Sequence, residues 1–244
     1  MLTIAVTGAT GAQGGATARA LLAAGHRVRA LTRRPGSPAA DTLRGLGAVV
    51  RRADFDDRAS LDDALAGADS LFAVTTPFET DTAVEARQGT TIIDAAAAAR
   101  LGHVVLTSAA HADRGTGVPH YESKYLVEQH LRASGLPWTV IAPAAFMDNY
   151  AGGWTLDSLR VGTFAWPMPT DRPLTLIPAD DIGAFAALAL QRRDEFTGRR
   201  IRGDPRCGHR PPGDPSRGAS GLRTDPVRRP GRHVRVLHRL RPRR

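Results

Sequence analysis

The sequence predicts an α/β fold, a doubly wound parallel sheet. Three observations carry this: short apolar runs alternate with helical stretches from residue 2 to residue 142, the connections are short, and glycines punctuate the helix ends. Leu2–Thr7 reads as the first strand, ending in Gly8, and Gln13–Ala24 as a helix closed by Gly25. Val28–Thr32 is a second strand and Ser37–Leu46 a helix stopped by Gly47, followed by a weak strand at Ala48–Arg51. Ser60 is placed to cap a helix over Leu61–Ala66 that Gly67 ends. Ser70–Thr75 makes a fourth strand, and Thr82–Arg100 an Ala-rich helix stopped near Gly102. His103–Ser108 is the fifth strand, Tyr121–Ser134 a helix ended by Gly135, and Trp138–Ala142 the sixth strand. Beyond it the pattern loosens. Phe146–Leu159 and Ile182–Arg193 look helical, the latter capped by Asp180 or Asp181, and Phe164–Trp166 and Leu174–Ile177 look extended. Insertions at about 145–180 would lie over the carboxyl edge of the sheet, where substrates bind in such folds.

Composition narrows the function classes. Of 244 residues, 42% are hydrophobic, enough for a sizeable core, and one cysteine, Cys207, excludes an internal disulfide framework and fits a reducing cytoplasm. The first residues run straight into a glycine motif without a basic flank, so no signal peptide is expected, and no apolar run is long enough to span a membrane. The net charge of +9 is unevenly spread: residues 1–198 sum to −3, whereas 199–244, with 15 arginines and 3 aspartates, sum to +12.

The strongest signal is Val6-Thr7-Gly8-Ala9-Thr10-Gly11-Ala12-Gln13-Gly14-Gly15, between the first strand and the first helix. Gly8, Gly11 and Gly14 meet three needs: a sharp turn, close approach of backbone to a pyrophosphate, and packing of helix on sheet. The helix start then offers N–H groups and partial positive charge to phosphates. An NAD-selective site would place an acid about 20 residues further on. No acid occurs before Asp41, and Thr32-Arg33-Arg34 ends the second strand instead. A guanidinium fork suits a 2′-phosphate, so the expected cofactor is NADP(H).

These residues, with Thr32-Arg33-Arg34-Pro35, His120-Tyr121-Glu122-Ser123-Lys124 and Pro143-Ala144-Ala145-Phe146-Met147-Asp148-Asn149, resemble the NmrA-like branch of atypical short-chain dehydrogenases from residue 2 to about 200. The resemblance implies a Rossmann domain over 1–201 with a small C-terminal substrate side. It also implies a protein that either reduces a small carbonyl or quinone or binds NADP(H) without turnover and reports redox state to a regulatory partner. By position, Gly8, Thr10, Gly11, Gln13 and Gly14 would line the pyrophosphate and Arg33, helped by Arg34, would meet the 2′-phosphate. Asp54 and Phe55 would lie at the adenine, equally readable as a loop acid and a core aromatic. Thr75, Thr76 and Pro77 would lie by the cofactor ribose, and Pro143, Ala144 and Phe146 by the nicotinamide.

Carbonyl-reducing short-chain dehydrogenases commonly use a Ser after the fifth strand and a Tyr four residues before a Lys. Ser108 and Lys124 occupy two of these places, but His120 holds the tyrosine position and Tyr121 stands only three residues before Lys124. One helical residue is about 100° of rotation, so Tyr121 is out of register. Lys124 is the only lysine in the chain, and lysine, unlike arginine, can give up a proton when desolvated. Lys124 is therefore the candidate for holding the ribose hydroxyls and donating the proton, with His120 and Ser108 assisting. His111, Asp113 and Asn149 lack metal-ligand spacing, so no metal is expected, and there is no Gly-x-Ser-x-Gly elbow.

Residues 202–244 are rich in arginine and proline with little apolar periodicity, which predicts disorder. Their lack of lysine and aromatic residues argues against a nucleic-acid arm, and an altered, frame-shifted end of a GC-rich gene is the preferred reading. The reading drawn from the sequence is an NADP(H)-dependent cytoplasmic reductase of a small carbonyl or quinone, with a non-catalytic redox sensor or transcriptional regulator as the alternative.

Overall fold

A computed structural model describes residues 1–78, 81–163 and 174–202, apart from the side chains of residues 153 and 154. The predicted strand at 164–166 and the tail from residue 203 lie outside the described residues. Six strands fall where apolar runs predict them: β1 (Thr3–Val6), β2 (Arg27–Thr32), β3 (Val49–Arg52), β4 (Ser70–Ala73), β5 (His103–Thr107) and β6 (Trp138–Ala142). Between them come α1 (Ala12–Ala23), α2 (Pro38–Gly45), α3 (Arg58–Leu65), α4 (Thr82–Ala98) and α5 (Pro119–Ala133). The sheet is parallel throughout, in the order β3-β2-β1-β4-β5-β6, and chain direction across it reverses between β1 and β4. Ligands bind outside the carboxyl ends of the strands at such a switch point.

Both faces of the sheet are covered, as an all-parallel sheet requires. Ile4 and Val6 of β1 join Leu21, Phe72 and Leu190 in one core, while Ala5 between them joins Leu31, Leu61, Ile92, Leu106 and Leu131 in the other. This alternation is the two-residue period of a strand with helices on both sides.

The C-terminal part departs from the sequence reading. The stretch expected as one helix, Phe146–Leu159, divides into a short strand β7 (Ala145–Phe146), a 3₁₀ turn (Met147–Ala151) and α6 (Gly153–Arg160). β7 pairs with β8 (Leu176–Ile177) as a separate two-stranded sheet. α7 (Ala179–Gln191) starts earlier than expected: Asp180 and Asp181 lie in its first turn, and Pro178 precedes it as the cap. α7 lies closely on α1, where a Cβ on Gly183 would come within 2.6 Å of the Ala16 Cβ. After α8 (Arg193–Phe196), β9 (Arg199–Arg202) adds a seventh strand beside β6. Its sequence, Arg-Arg-Ile-Arg, hides it, because charge neutralisation by distant acids is what lets it enter the sheet. The cap of α3 also differs from the sequence reading: it is Asp57, which accepts from the Ser60 N–H, and not Ser60.

Candidate functional site

A crevice of about 410 Å³ opens at the carboxyl ends of β1 to β4. Its floor is the glycine loop. Gly8 has φ +56°, a left-handed conformation that L side chains resist, and its carbonyl accepts from the Gly11 N–H at 2.9 Å. At Gly14 a Cβ would sit 2.6 Å from the Thr7 carbonyl oxygen and closer still to that of Gly8, so the α1 start can lie this close to β1 only without a side chain. Gly11 precedes α1 as its N-cap with no side chain to cap it, and the first turn holds no acid, leaving the N–H groups and positive dipole end for an anion. Thr10 and Gln13 line the same wall, and Gln13 Oε1 accepts from Thr107 Oγ1 at 2.8 Å, anchoring the loop to β5.

At one end of the crevice stand Arg33 and Arg34, both exposed, with Asp54 and Phe55 after β3. Ser60 Oγ accepts from the Asp54 N–H at 2.9 Å and holds that turn. At the other end Thr75, Thr76 and Phe146 form the lining. Pro77, Pro143 and Ala144 are not among the lining residues; Pro77 and Pro143 are buried beside it.

Lys124 stands behind Thr75. Its Nζ donates to the Thr75 carbonyl at 3.1 Å and to Glu85 Oε1 at 2.8 Å. Glu85, on α4, is fully buried and also accepts from Thr75 Oγ1 at 3.0 Å and Ser123 Oγ at 2.5 Å. A lysine has three donors, so this arrangement commits two of them and holds the ammonium against the crevice wall. The sequence reading missed Glu85. The signal available was phase: Glu85, Gly89, Ile92, Ile93 and Ala96 share one buried stripe of α4, and an acid on an apolar stripe needs a partner.

Ser108 follows β5, where the sequence reading puts it, and its hydroxyl is engaged. It is buried, and its hydroxyl donates to Glu128 Oε1. Glu128, also fully buried, receives Arg200 Nε from β9 at 2.9 Å and Arg132 Nη2 at 3.3 Å. Arg200 further donates to the Ala109 carbonyl at 2.8 Å, and Asp113 pairs with Arg200 and Arg202. The strand-five exit is thus locked to β9. His120 is half-buried, with its ring 4.5 Å from that of Tyr121 and 6.1 Å from that of Phe78. Neither Ser108, His120 nor Lys124 lines the crevice directly. Among the described residues no three His, Cys, Asp or Glu side chains group as metal ligands. No helix there is long and apolar enough to cross a membrane.

The sequence profile of the NmrA-like family matches residues 2–207. The chain belongs to the NmrA-like family. Among curated members, a (4-alkanoyl-5-oxo-2,5-dihydrofuran-3-yl)methyl phosphate reductase from Streptomyces griseus is 36% identical over 189 residues, which is 77% of this chain and 62% of the relative. A quinone oxidoreductase of Escherichia coli, solved with NADPH, superposes with a TM-score of 0.69 at 28% identity, covering 81% of this chain and 67% of that one. NmrA, a negative transcriptional regulator solved with NADP, superposes with a TM-score of 0.70 at 28% identity, covering 82% and 65%. The same regulator has also been solved with NAD. The chain therefore spans roughly two thirds of the length of these NmrA-like relatives. Enzymes and a regulator share this Rossmann-type scaffold.

Proposed function

We propose that the protein binds NADP(H) in this crevice and reduces a small carbonyl or quinone substrate in the cytoplasm. The observation that carries the reading is the combination of a glycine loop that lets α1 start against β1 because Gly14 carries no Cβ, an uncapped helix start, and two arginines following β2. The donors fit the group: backbone N–H groups and the helix dipole suit a pyrophosphate, and paired guanidinium groups suit a 2′-phosphate. When bound, NADPH supplies a hydride. Gly8, Thr10, Gly11, Gln13 and Gly14 hold the pyrophosphate, Arg33 and Arg34 the 2′-phosphate, and Thr75, Thr76 and Phe146 border the reacting end, backed by Pro77, Pro143 and Ala144. Lys124, fixed by Glu85 and Thr75, is the proton source: one Nζ proton passes to the substrate oxygen as its carbon is reduced, and water restores it. His120, at the start of the same helix, assists Lys124. Ser108 acts through Glu128, by fixing the strand-five exit, and not on the substrate.

The test is NADPH oxidation measured against a panel of quinones and small carbonyl compounds, with NADPH binding measured separately by calorimetry. Tight binding with turnover supports the reductase. Absence of NADPH binding would falsify the whole reading. One observation favours a second reading, a redox sensor acting through a protein partner: the tyrosine of the usual catalytic set is replaced by His120, and Lys124 and Ser108 both donate to buried carboxylates. Tight NADPH binding without turnover on any panel member would support it.

A further inference from the structure

The scheme above leaves Gln88 without a task. α4 brings it to the β2–β3 end of the crevice, where it lines the wall with Ala53, Asp54 and Phe55 and with Arg33 and Arg34. Asp56, on the loop after β3, accepts from Gln88 Nε2 at 2.9 Å and from Arg87 Nη2 at 2.9 Å. These hydrogen bonds, that from Arg87 foremost, hold the Asp56 carboxyl below the ordinary carboxylate range, so it accepts and does not donate. An ionised carboxylate fixes which way the amide turns: the nitrogen must face Asp56. The carbonyl oxygen and the second N–H of Gln88 are then the groups left for the crevice.

We propose that Gln88 reads the adenine base of the dinucleotide, its Oε1 accepting from the exocyclic amine and its remaining N–H donating to a ring nitrogen. This rests on the NADP(H) reading of the crevice. An acceptor beside a donor on one planar amide is the pattern by which glutamine recognises the adenine edge in nucleic acids. The base belongs at this end because Arg33 and Arg34, which suit the phosphate on its ribose, are here and not beside Phe146. Hypoxanthine carries a carbonyl oxygen where adenine carries the amine, which would set two acceptors face to face. Asp56 is the positioning residue, because without it the amide can turn over and present the reverse pattern.

The experiment titrates the full chain with NADPH and with its hypoxanthine analogue, following binding by calorimetry. The wild-type protein is expected to bind NADPH about 10-fold more tightly than the analogue. Gln88→Leu should weaken NADPH binding about 10-fold and leave the analogue within about 2-fold, erasing the preference. Should that variant fail to give a normal melting transition, the wild-type comparison decides alone. Equal wild-type affinity for the two dinucleotides, or a preference that survives in Gln88→Leu, overturns the assignment while leaving the crevice reading intact. Failure of the wild-type protein to bind either one removes the crevice reading itself.

Discussion

The two ends of the crevice are built from different material. The phosphate end is mostly backbone: a left-handed Gly8, a Gly14 that tolerates no Cβ, and the uncapped start of α1. Behind the wall at the far end lies buried side-chain charge: Glu85 holding Lys124, and one strand further along Glu128 holding Arg200 and Arg132. The two glutamates differ in their partners. Glu128 is met by guanidinium groups, which do not release protons at working pH, so its network is a lock. Glu85 is met by the single ammonium group of Lys124. The contrast teaches that the shape of the crevice floor is set by main chain, whereas the packing behind its far wall is held by a few ion pairs.

The largest expected effect strikes the side-chain end. In Lys124→Met the Glu85 carboxylate stays fully buried and loses its cation, which should cost about 3–5 kcal/mol of stability. The double variant Lys124→Met/Glu85→Leu removes both charges and should recover most of that loss in urea titrations. A double variant no more stable than the single one would show that Glu85 is not held chiefly by Lys124. Glu85→Gln alone should keep NADPH affinity within about 2-fold and lower turnover, because the cradle lies elsewhere.

At the backbone end, Gly14→Ala places a methyl group 2.6 Å from the Thr7 carbonyl oxygen. The chain must shift α1 away from β1, at about 3 kcal/mol, and NADPH affinity should fall about 100-fold. Calorimetry and thermal melting together check this. A variant that melts lower yet binds NADPH normally would break the contrast between the two ends. A smaller effect separates the phosphates. Arg33→Ala should weaken NADPH binding by about 2 kcal/mol, near 30-fold, and leave NADH binding unchanged. Equal losses for both dinucleotides would move Arg33 from the 2′-phosphate to the pyrophosphate or the general field.

The same contrast governs what the sequence reveals. Backbone requirements leave compositional traces, since only glycine satisfies them, and so the loop from Gly8 to Gly14 and the helix–strand alternation around it are readable residue by residue. Side-chain networks join residues far apart in the chain, such as Glu85 with Lys124 or Glu128 with Arg200, and nothing local marks the pairing. The phase of Glu85 and Glu128 on buried helix stripes signals that a partner exists but not which one. β9 escaped for the same reason: three arginines in four residues look solvated until Glu128 and Asp113 neutralise two of them.

Asp113 offers the finest probe of that lock. Burial works to raise its pKa, but the charges of Arg200 and Arg202 and the hydrogen bond from Arg202 outweigh it, and the carboxyl titrates below the ordinary 3.8. An acid whose folded pKa lies below its unfolded value binds fewer protons when folded. Its stabilising contribution is present above the unfolded pKa and is lost as pH falls through the folded one. The side chain is about one-fifth exposed, so the contribution should be small, about 1 kcal/mol. Asp113→Asn should therefore be less stable than the wild type by that amount at pH 6, and the gap should be narrower at pH 3, as pH falls toward the lowered folded pKa of the wild-type carboxyl. Urea midpoints for both proteins at the two pH values measure the gap, and amide exchange at Ile201 locates it. A gap that stays constant with pH would mean that Asp113 contributes shape and hydrogen bonding but no charge to the hold on β9.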